Sequence, residues 1–192
     1  PMAKQLTKPK RLAKQAGLPF IYVNDNFGRW RSDFRSQVQH CIHDSTAVQP
    51  QTPDSIAAQL LKTFRGQHIG LLSPLVMNRK GVYTELADWA RPRGYTHLRV
   101  DGNFLPTTGF PRIDRFKEHT IELPIASLEV KPSNEAALRQ HLALALEHGK
   151  GVVHVLSGLA GLREALREGL STAGIGMLQA FSTKRACPVC ST

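Results

Sequence analysis

The chain has 192 residues, of which 41% are hydrophobic and 7% aromatic, so it can form a domain whose core is mostly aliphatic. No apolar run approaches the roughly 20 residues that a membrane-spanning helix needs. The three cysteines are few and odd in number, so they do not form a disulfide scaffold. These features argue against a membrane-spanning or disulfide-stapled protein, and with no secretory signal visible they predict a cytoplasmic one.

The positive charge is concentrated at the N-terminus. The formal net charge is +10, and residues 1–40 hold eight basic and two acidic residues. Such a balance favours a polyanion or an acidic protein surface as the partner, with a solvated basic helix as the alternative. Within this segment, Lys10–Ala16 predicts a helix that ends at Gly17, and Phe20–Val23 predicts a short buried strand.

The next predicted elements are a helix and a strand. Thr52 is a suitable N-cap and Pro53 suits the first helical position, so a helix is predicted that closes at Gly66. Ile69–Val76 has the apolar run of a strand, and Asn78–Gly81 predicts a basic turn after it.

The middle of the chain predicts short elements separated by turns. Thr84–Arg91 predicts a helix, and the alternation of apolar and polar residues over Thr96–Val100 predicts a strand. Asp101–Gly102 predicts a hairpin turn. Phe104–Pro111 contains two prolines and a glycine and predicts a loop, whereas Thr120–Val130 predicts another strand.

The last third predicts a helix, a buried strand and a further short helix. Asn134 is a good N-cap for a helix that reaches His148, Gly151–Leu156 is typical of a buried strand, and Leu162–Leu170 has a helical pattern. Helices mixed with alternating strands, without regular βαβ spacing, predict an α+β fold. We expect a mixed or antiparallel sheet with packed helices, preceded by the short N-terminal helix and strand.

Four basic residues are the candidate binding site. Arg79 and Lys80 lie on the predicted turn, and His97 and Arg99 lie on the polar face of the predicted strand Thr96–Val100. Basic side chains on a rigid sheet suit an acidic partner, because arginine offers a planar fork to carboxylates. A solvated face is the alternative. No nucleophile-elbow, zinc-protease or Walker motif occurs in the sequence, so a role other than catalysis is predicted.

Cys187 and Cys190 have the spacing of half a tetrahedral zinc site. Two thiolates two residues apart can face one ion, but the second half of the site is absent from the sequence. Zinc is therefore expected only if other ligands complete the site, and Cys41 with its neighbouring histidines fits no finger pattern. A redox role or a chance pair is the alternative. A chain that stops on half a zinc site is expected to be a fragment of a larger protein.

Four segments, Leu71–Gly81, Gly94–Gly102, Lys117–Glu122 and Phe181–Cys190, occur in a familiar order and spacing. Through them, residues 41–192 resemble the UvrA family, the ATP-dependent component of the excinuclease of bacterial nucleotide excision repair. In that family this stretch is an insertion in the first ATPase module, and it docks onto UvrB, the second excinuclease protein. The resemblance implies an interaction domain over residues 41–186 and the start of a truncated zinc module over residues 187–192.

The resemblance also implies which residues bind the partner. The basic docking surface, which meets acidic residues of UvrB, would comprise Arg65, Arg79, Lys80, His97 and Arg99. His97 stands where family members usually have arginine or a similar group. The family's ATP-binding motifs do not occur in this chain, so we expect it neither to bind nor to hydrolyse ATP. ATP and damaged DNA are implied for the full-length family proteins.

The N-terminal segment has a different resemblance. Residues 10–40, and above all Ala16–Phe34, are similar to a fragment of isochorismatase-like cysteine hydrolases. That family needs an Asp, a Lys and a nucleophilic Cys from a whole α/β domain, and the segments that carry them do not occur here. We therefore expect a basic segment over residues 1–40 joined to an interaction domain that recruits UvrB. A hydrolase fragment and a direct DNA-binding module are the alternatives.

Overall fold

The computed structural model describes residues 51–184, and this part of the chain is an α+β fold with one six-stranded antiparallel sheet and four helices. The predicted helix and strand of residues 1–40, the division at residue 41 and the cysteine pair near the C-terminus lie outside the described residues. The helices are α1 (Pro53–Thr63), α2 (Thr84–Ala90), α3 (Glu135–His148) and α4 (Leu162–Glu168). The strands are β1 (His68–Arg79), β2 (His97–Val100), β3 (Asn103–Pro106), β4 (His119–Glu129), β5 (Val152–Ser157) and β6 (Met177–Ser182), in the sheet order β3-β2-β4-β1-β5-β6.

Helix α1 begins as its sequence predicts. The Thr52 hydroxyl accepts a hydrogen bond from the backbone N–H of Ser55 at 3.1 Å, and the Ser55 hydroxyl accepts one from the backbone N–H of Thr52 at 3.0 Å. This reciprocal capping box, with Pro53 in the first turn, satisfies backbone donors that a helix start would otherwise leave unpaired. The helix ends at Thr63, three residues before Gly66.

One face of the sheet carries the hydrophobic core. Ile69 and Leu71 of β1 are fully buried beneath Ile56 and Leu60 of α1, and Leu142 of α3 packs into the same cluster. Every residue of β5 is buried, as its apolar sequence predicts. On the same face, Leu98, Ile121 and Leu123 of β2 and β4 pack against Ala87 and Ala90 of α2.

Strand β1 runs further than its sequence predicts. The predicted turn at Asn78–Gly81 is wrong for Asn78 and Arg79, which are the last residues of β1. Arg79 pairs with His119 of β4, and Asn78 takes a left-handed φ of 48° while its side-chain oxygen accepts a hydrogen bond from the Thr120 hydroxyl at 3.1 Å. Cross-strand pairing to β4 therefore extends the strand where local sequence favours a turn.

Both edge strands of the sheet differ from the sequence-based predictions. The predicted loop Phe104–Pro111 is wrong for Phe104–Pro106, which form β3 against β2. The intervening turn is the predicted one: Asp101 and Gly102 have φ of 49° and 89°, the left-handed conformations that a type I′ hairpin requires. Strand β6 was not predicted, because its first three residues, Met177 to Gln179, are all exposed and show no alternation of apolar and polar positions.

Candidate functional site

Arg79 and Lys80 lie next to each other at the C-terminal end of β1, and both are exposed. The phenolic hydroxyl of Tyr83 donates a hydrogen bond to the Arg79 carbonyl at 2.9 Å, which ties the backbone here to the start of α2. These two predicted residues therefore share one exposed position at an end of the sheet.

Arg65 lies at the opposite end of the same strand. It is exposed between α1 and β1, where the N–H of Gly66 donates to the carbonyl of Val130 at 2.7 Å. The 12 residues of β1 separate Arg65 from Arg79, a length of about 40 Å for an extended strand. The structure does not bring these two arginines into one patch.

His97 begins β2 and is half-buried. Its Nδ1 lies 3.0 Å from the Thr96 hydroxyl. It lines a groove of about 500 Å³ on the sheet face that α4 covers, with Leu162 and Leu166 of α4 on the other side. The histidine therefore belongs to a mostly apolar groove that does not include Arg79 or Lys80.

Arg99 is not on a solvent-facing surface, contrary to the expectation from the alternation of β2. The residue is 9% exposed, and its guanidinium Nη1 donates to the Oε2 of Glu122 on the neighbouring strand β4. Cross-strand partners share a face of a sheet, and Arg99 pairs with Glu122 on one side and Phe104 on the other. The polar face of β2 is therefore a covered face, and Arg99 is placed to hold strands together.

Glu122 is the centre of this buried network. Its Oε1 accepts a hydrogen bond from Nδ1 of His154 at 2.5 Å, so His154 reaches across β1 from β5. Burial by itself raises the pKa of the Glu122 carboxyl, but the hydrogen bond and attraction from His154, with those from Arg99, outweigh it and hold the pKa below its usual value. Glu122 therefore stays ionised and links three of the strands.

Three cations join Arg79 and Lys80, although their sequence, with Asp114 and Glu118 among them, favours an ion-pair surface rather than a binding site. Because Arg79 pairs with His119, the loop that leads into β4 lies beside the end of β1. Within residues 51–184 no carboxylate lies within ion-pair distance of any of these cations, which are exposed. We call the group the basic end: Arg79, Lys80, Arg112, Arg115 and Lys117. The alternation of the strands gave no signal for the three loop residues, because their position depends on the pairing of β1 with β4.

Hydrogen bonds hold both the start and the finish of the loop that carries Arg112, Arg115 and Lys117. At the start, Thr107 is buried and its hydroxyl donates to the carbonyl of Tyr95 at 2.9 Å. At the finish, Nδ1 of His119 lies 2.6 Å from Oδ2 of Asp101 and Nε2 lies 2.8 Å from the carbonyl of Asp114. Both ring nitrogens face acceptors, above all the Asp101 carboxylate, and this raises the pKa of His119.

Within residues 51–184 the structure shows neither a cluster of metal ligands nor a membrane-spanning helix. In the part of the chain that the structure describes, no three His, Cys, Asp or Glu side chains come together as a metal site. Cys187 and Cys190 lie outside that part, so zinc binding through them stays a prediction. Every helix within residues 51–184 is too short or too polar to span a lipid bilayer.

The fold and its basic end define a small α+β domain with exposed cations at one end of its sheet that have no carboxylate partner within residues 51–184. The model of the UvrA interaction domain family matches residues 51–158, more than half of the chain, and the chain belongs to that family.

The chain is also similar to proteins named UvrABC system protein A. It is 30% identical to the one from Aquifex aeolicus (strain VF5) over 131 residues, 68% of this chain. It is 29% identical over 153 residues, 79% of this chain, to those from Staphylococcus epidermidis (strain RP62A) and Staphylococcus aureus (strain Mu50). The chain spans 14% of the length of each of these relatives.

Proposed function

We propose that this domain recruits UvrB during nucleotide excision repair of damaged DNA, and that the basic end makes the contact. The observation that carries the proposal is the group of five exposed cations without carboxylate partners in residues 51–184, in a chain of the UvrA interaction domain family. Cations that the domain does not neutralise itself attract an acidic partner surface and speed its association.

The basic end has two parts, and the backbone of each part is held in place. Arg79 and Lys80 extend from the end of the central strand β1, whose backbone is held by the β4 ladder. Arg112, Arg115 and Lys117 extend from a loop that is fixed by partly buried hydrogen bonds at both ends. Side chains on a fixed backbone lose less conformational freedom on binding, so each contact gives more affinity.

The proposed role is binding without catalysis, and Arg99 has a supporting part in it. Arg99 holds β2 against β4 through Glu122, and the turn after β2 carries Asp101, which anchors His119 beside the basic end. Any ATP hydrolysis, and the damaged-DNA contact of the full-length family, would belong to other parts of the protein. Arg65 and His97, which lie away from the basic end, would make at most separate contacts.

The test is a calorimetric titration of the 192-residue chain with UvrB at two salt concentrations. Arg79→Glu and Lys80→Glu reverse charge at the basic end, and Arg167→Glu makes the same change on the exposed surface of α4. We expect salt-sensitive binding that the first two variants weaken and the third leaves unchanged. Binding that is absent, or that Arg167→Glu weakens equally, would contradict the proposal.

Direct DNA binding is a second candidate, and the observation that favours it is the charge of residues 1–40, with eight basic and two acidic residues. A contact with phosphates releases counterions, so the affinity for duplex DNA would fall steeply with salt. Deleting residues 1–15 separates the two candidates. If DNA affinity falls and UvrB affinity does not, the N-terminal segment binds DNA independently of the docking surface.

A further inference from the structure

A hollow of about 400 Å³ opens at the basic end between the start of α2 and the loop before β4. Apolar and polar groups share its lining almost equally, and two of the loop's arginines are among the polar ones. The lining includes Val82, Tyr83, Phe110, Ile113, Arg112 and Arg115. Its volume falls in the range of pockets that take small ligands, about 300–1,000 Å³.

The floor of the hollow is continuous with the core. Tyr83, Phe110 and Ile113 are half-buried and pack against the cluster that includes Leu98. Gly81 lets the Tyr83 ring lie close to the backbone, because a Cβ at residue 81 would come 3.0 Å from the Tyr83 hydroxyl. The hollow is therefore a formed feature with a packed floor rather than a gap between loose side chains.

The rim of the hollow exposes apolar surface among cations. Val82 is 65% exposed and lies in the lining. Phe116 is 71% exposed, follows Arg115 in the same loop, and has the Arg115 guanidinium 4.7 Å from its ring centre. Large apolar side chains that a soluble domain leaves exposed next to a concave site indicate a binding surface. An apolar centre with a charged rim is the usual composition of a protein interface.

The charge of the rim identifies the kind of occupant. Arg112 and Arg115 line the hollow, and Lys80 and Lys117 are further cations of the basic end. None of the four has a carboxylate partner in residues 51–184. An occupant that satisfies both the apolar floor and these cations must carry an apolar group flanked by negative charges.

We infer that the hollow holds one large apolar side chain of an acidic protein segment, whose flanking carboxylates pair with Arg112 and Arg115. This rests on the proposed function, because the segment belongs to the same acidic partner, UvrB. The apolar side chain anchors the complex, and the basic end attracts and orients it. Anchors of this kind in desolvated pockets carry much of the affinity of an interface, while rim charges mainly set the association rate and salt dependence.

Two double variants test this division of roles. Val82→Ser with Phe116→Ser removes apolar surface from the lining of the hollow and from the exposed loop residue beside Arg115, without changing the charge. Leu170→Ser with Met177→Ser removes two side chains of similar exposure, 60% and 75%, from other parts of the surface. In kinetic binding to UvrB, we expect the first pair to weaken affinity by roughly tenfold to a hundredfold through faster dissociation, with an unchanged salt dependence. The control pair should bind like the unmodified chain.

A second measurement locates the contact directly. The side-chain methyl signals of Ile113 should shift in the NMR spectrum when UvrB is added, whereas those of Leu170 should not. If Lys80→Glu weakens binding but the Val82/Phe116 pair does not, or if the Ile113 methyls do not respond, the inference about the hollow is overturned and the proposed function stands. If the unmodified, folded chain does not bind UvrB, both are overturned.

Discussion

Replacing Glu122 with glutamine should strongly destabilise the domain, although the two side chains have nearly the same shape. The Glu122 side chain is 1% exposed and that of Arg99 is 11% exposed, so the variant leaves a buried guanidinium without its counter-ion. Within residues 51–184, Nε of Arg99 already lacks a hydrogen-bond partner, and glutamine has one acceptor oxygen where the carboxylate offers one to Arg99 and one to His154. Breaking a buried pair in this way costs about 3–5 kcal/mol.

Equilibrium unfolding in urea measures this cost. With a slope of roughly 2 kcal/mol per molar urea for a small domain, the midpoint should fall by about 2 M. Glu118→Gln, at an exposed position four residues earlier, should change the stability by less than about 0.5 kcal/mol. Replacing both partners, with Arg99→Met and Glu122→Leu, should recover part of the loss, because neither the guanidinium nor the carboxylate is then left buried without the other. A Glu122→Gln variant as stable as the unmodified chain would refute the assignment of a buried, ionised pair.

The remaining predictions concern pH and helix capping. Because the folded pKa of Glu122 is lowered, its contribution to stability is complete above the usual glutamate pKa and is lost as the pH falls through the lowered value; urea midpoints in acid should fall less steeply in Glu122→Gln. Because the folded pKa of His119 is raised, its contribution is complete below the usual histidine pKa and is lost as the pH rises through the raised value. Asp101→Asn should flatten that alkaline fall, measured in the same way. Thr52→Ala should cost about 1 kcal/mol in urea unfolding, because it removes the acceptor for the N–H of Ser55.

The parts of the fold that depend on short-range chemistry could be predicted from the sequence. Thr52 and Pro53 define the start of α1, and Asp101 with Gly102 defines the hairpin, because capping and left-handed turns are decided within a few residues. The apolar run of β5 is equally local. The α+β class followed from these elements, and it is confirmed by the antiparallel sheet.

The parts that depend on strand pairing could not be predicted. Alternation places Arg99 on one face of β2, but it does not show that Glu122 of β4 lies opposite it or that this face is covered. The basic end likewise depends on the pairing of Arg79 with His119, which brings two segments that are distant in sequence into one surface. The observed binding site therefore differs from the predicted one mainly because β4 pairs with both β1 and β2.

Binding of UvrB to the unmodified chain, compared with Lys80→Glu and Arg167→Glu, tests the central claim most directly. We predict binding that weakens with added salt, is largely lost in Lys80→Glu and is unchanged in Arg167→Glu. A folded chain that does not bind UvrB, or that binds it equally well in all three forms, would contradict the claim that the basic end is the docking surface.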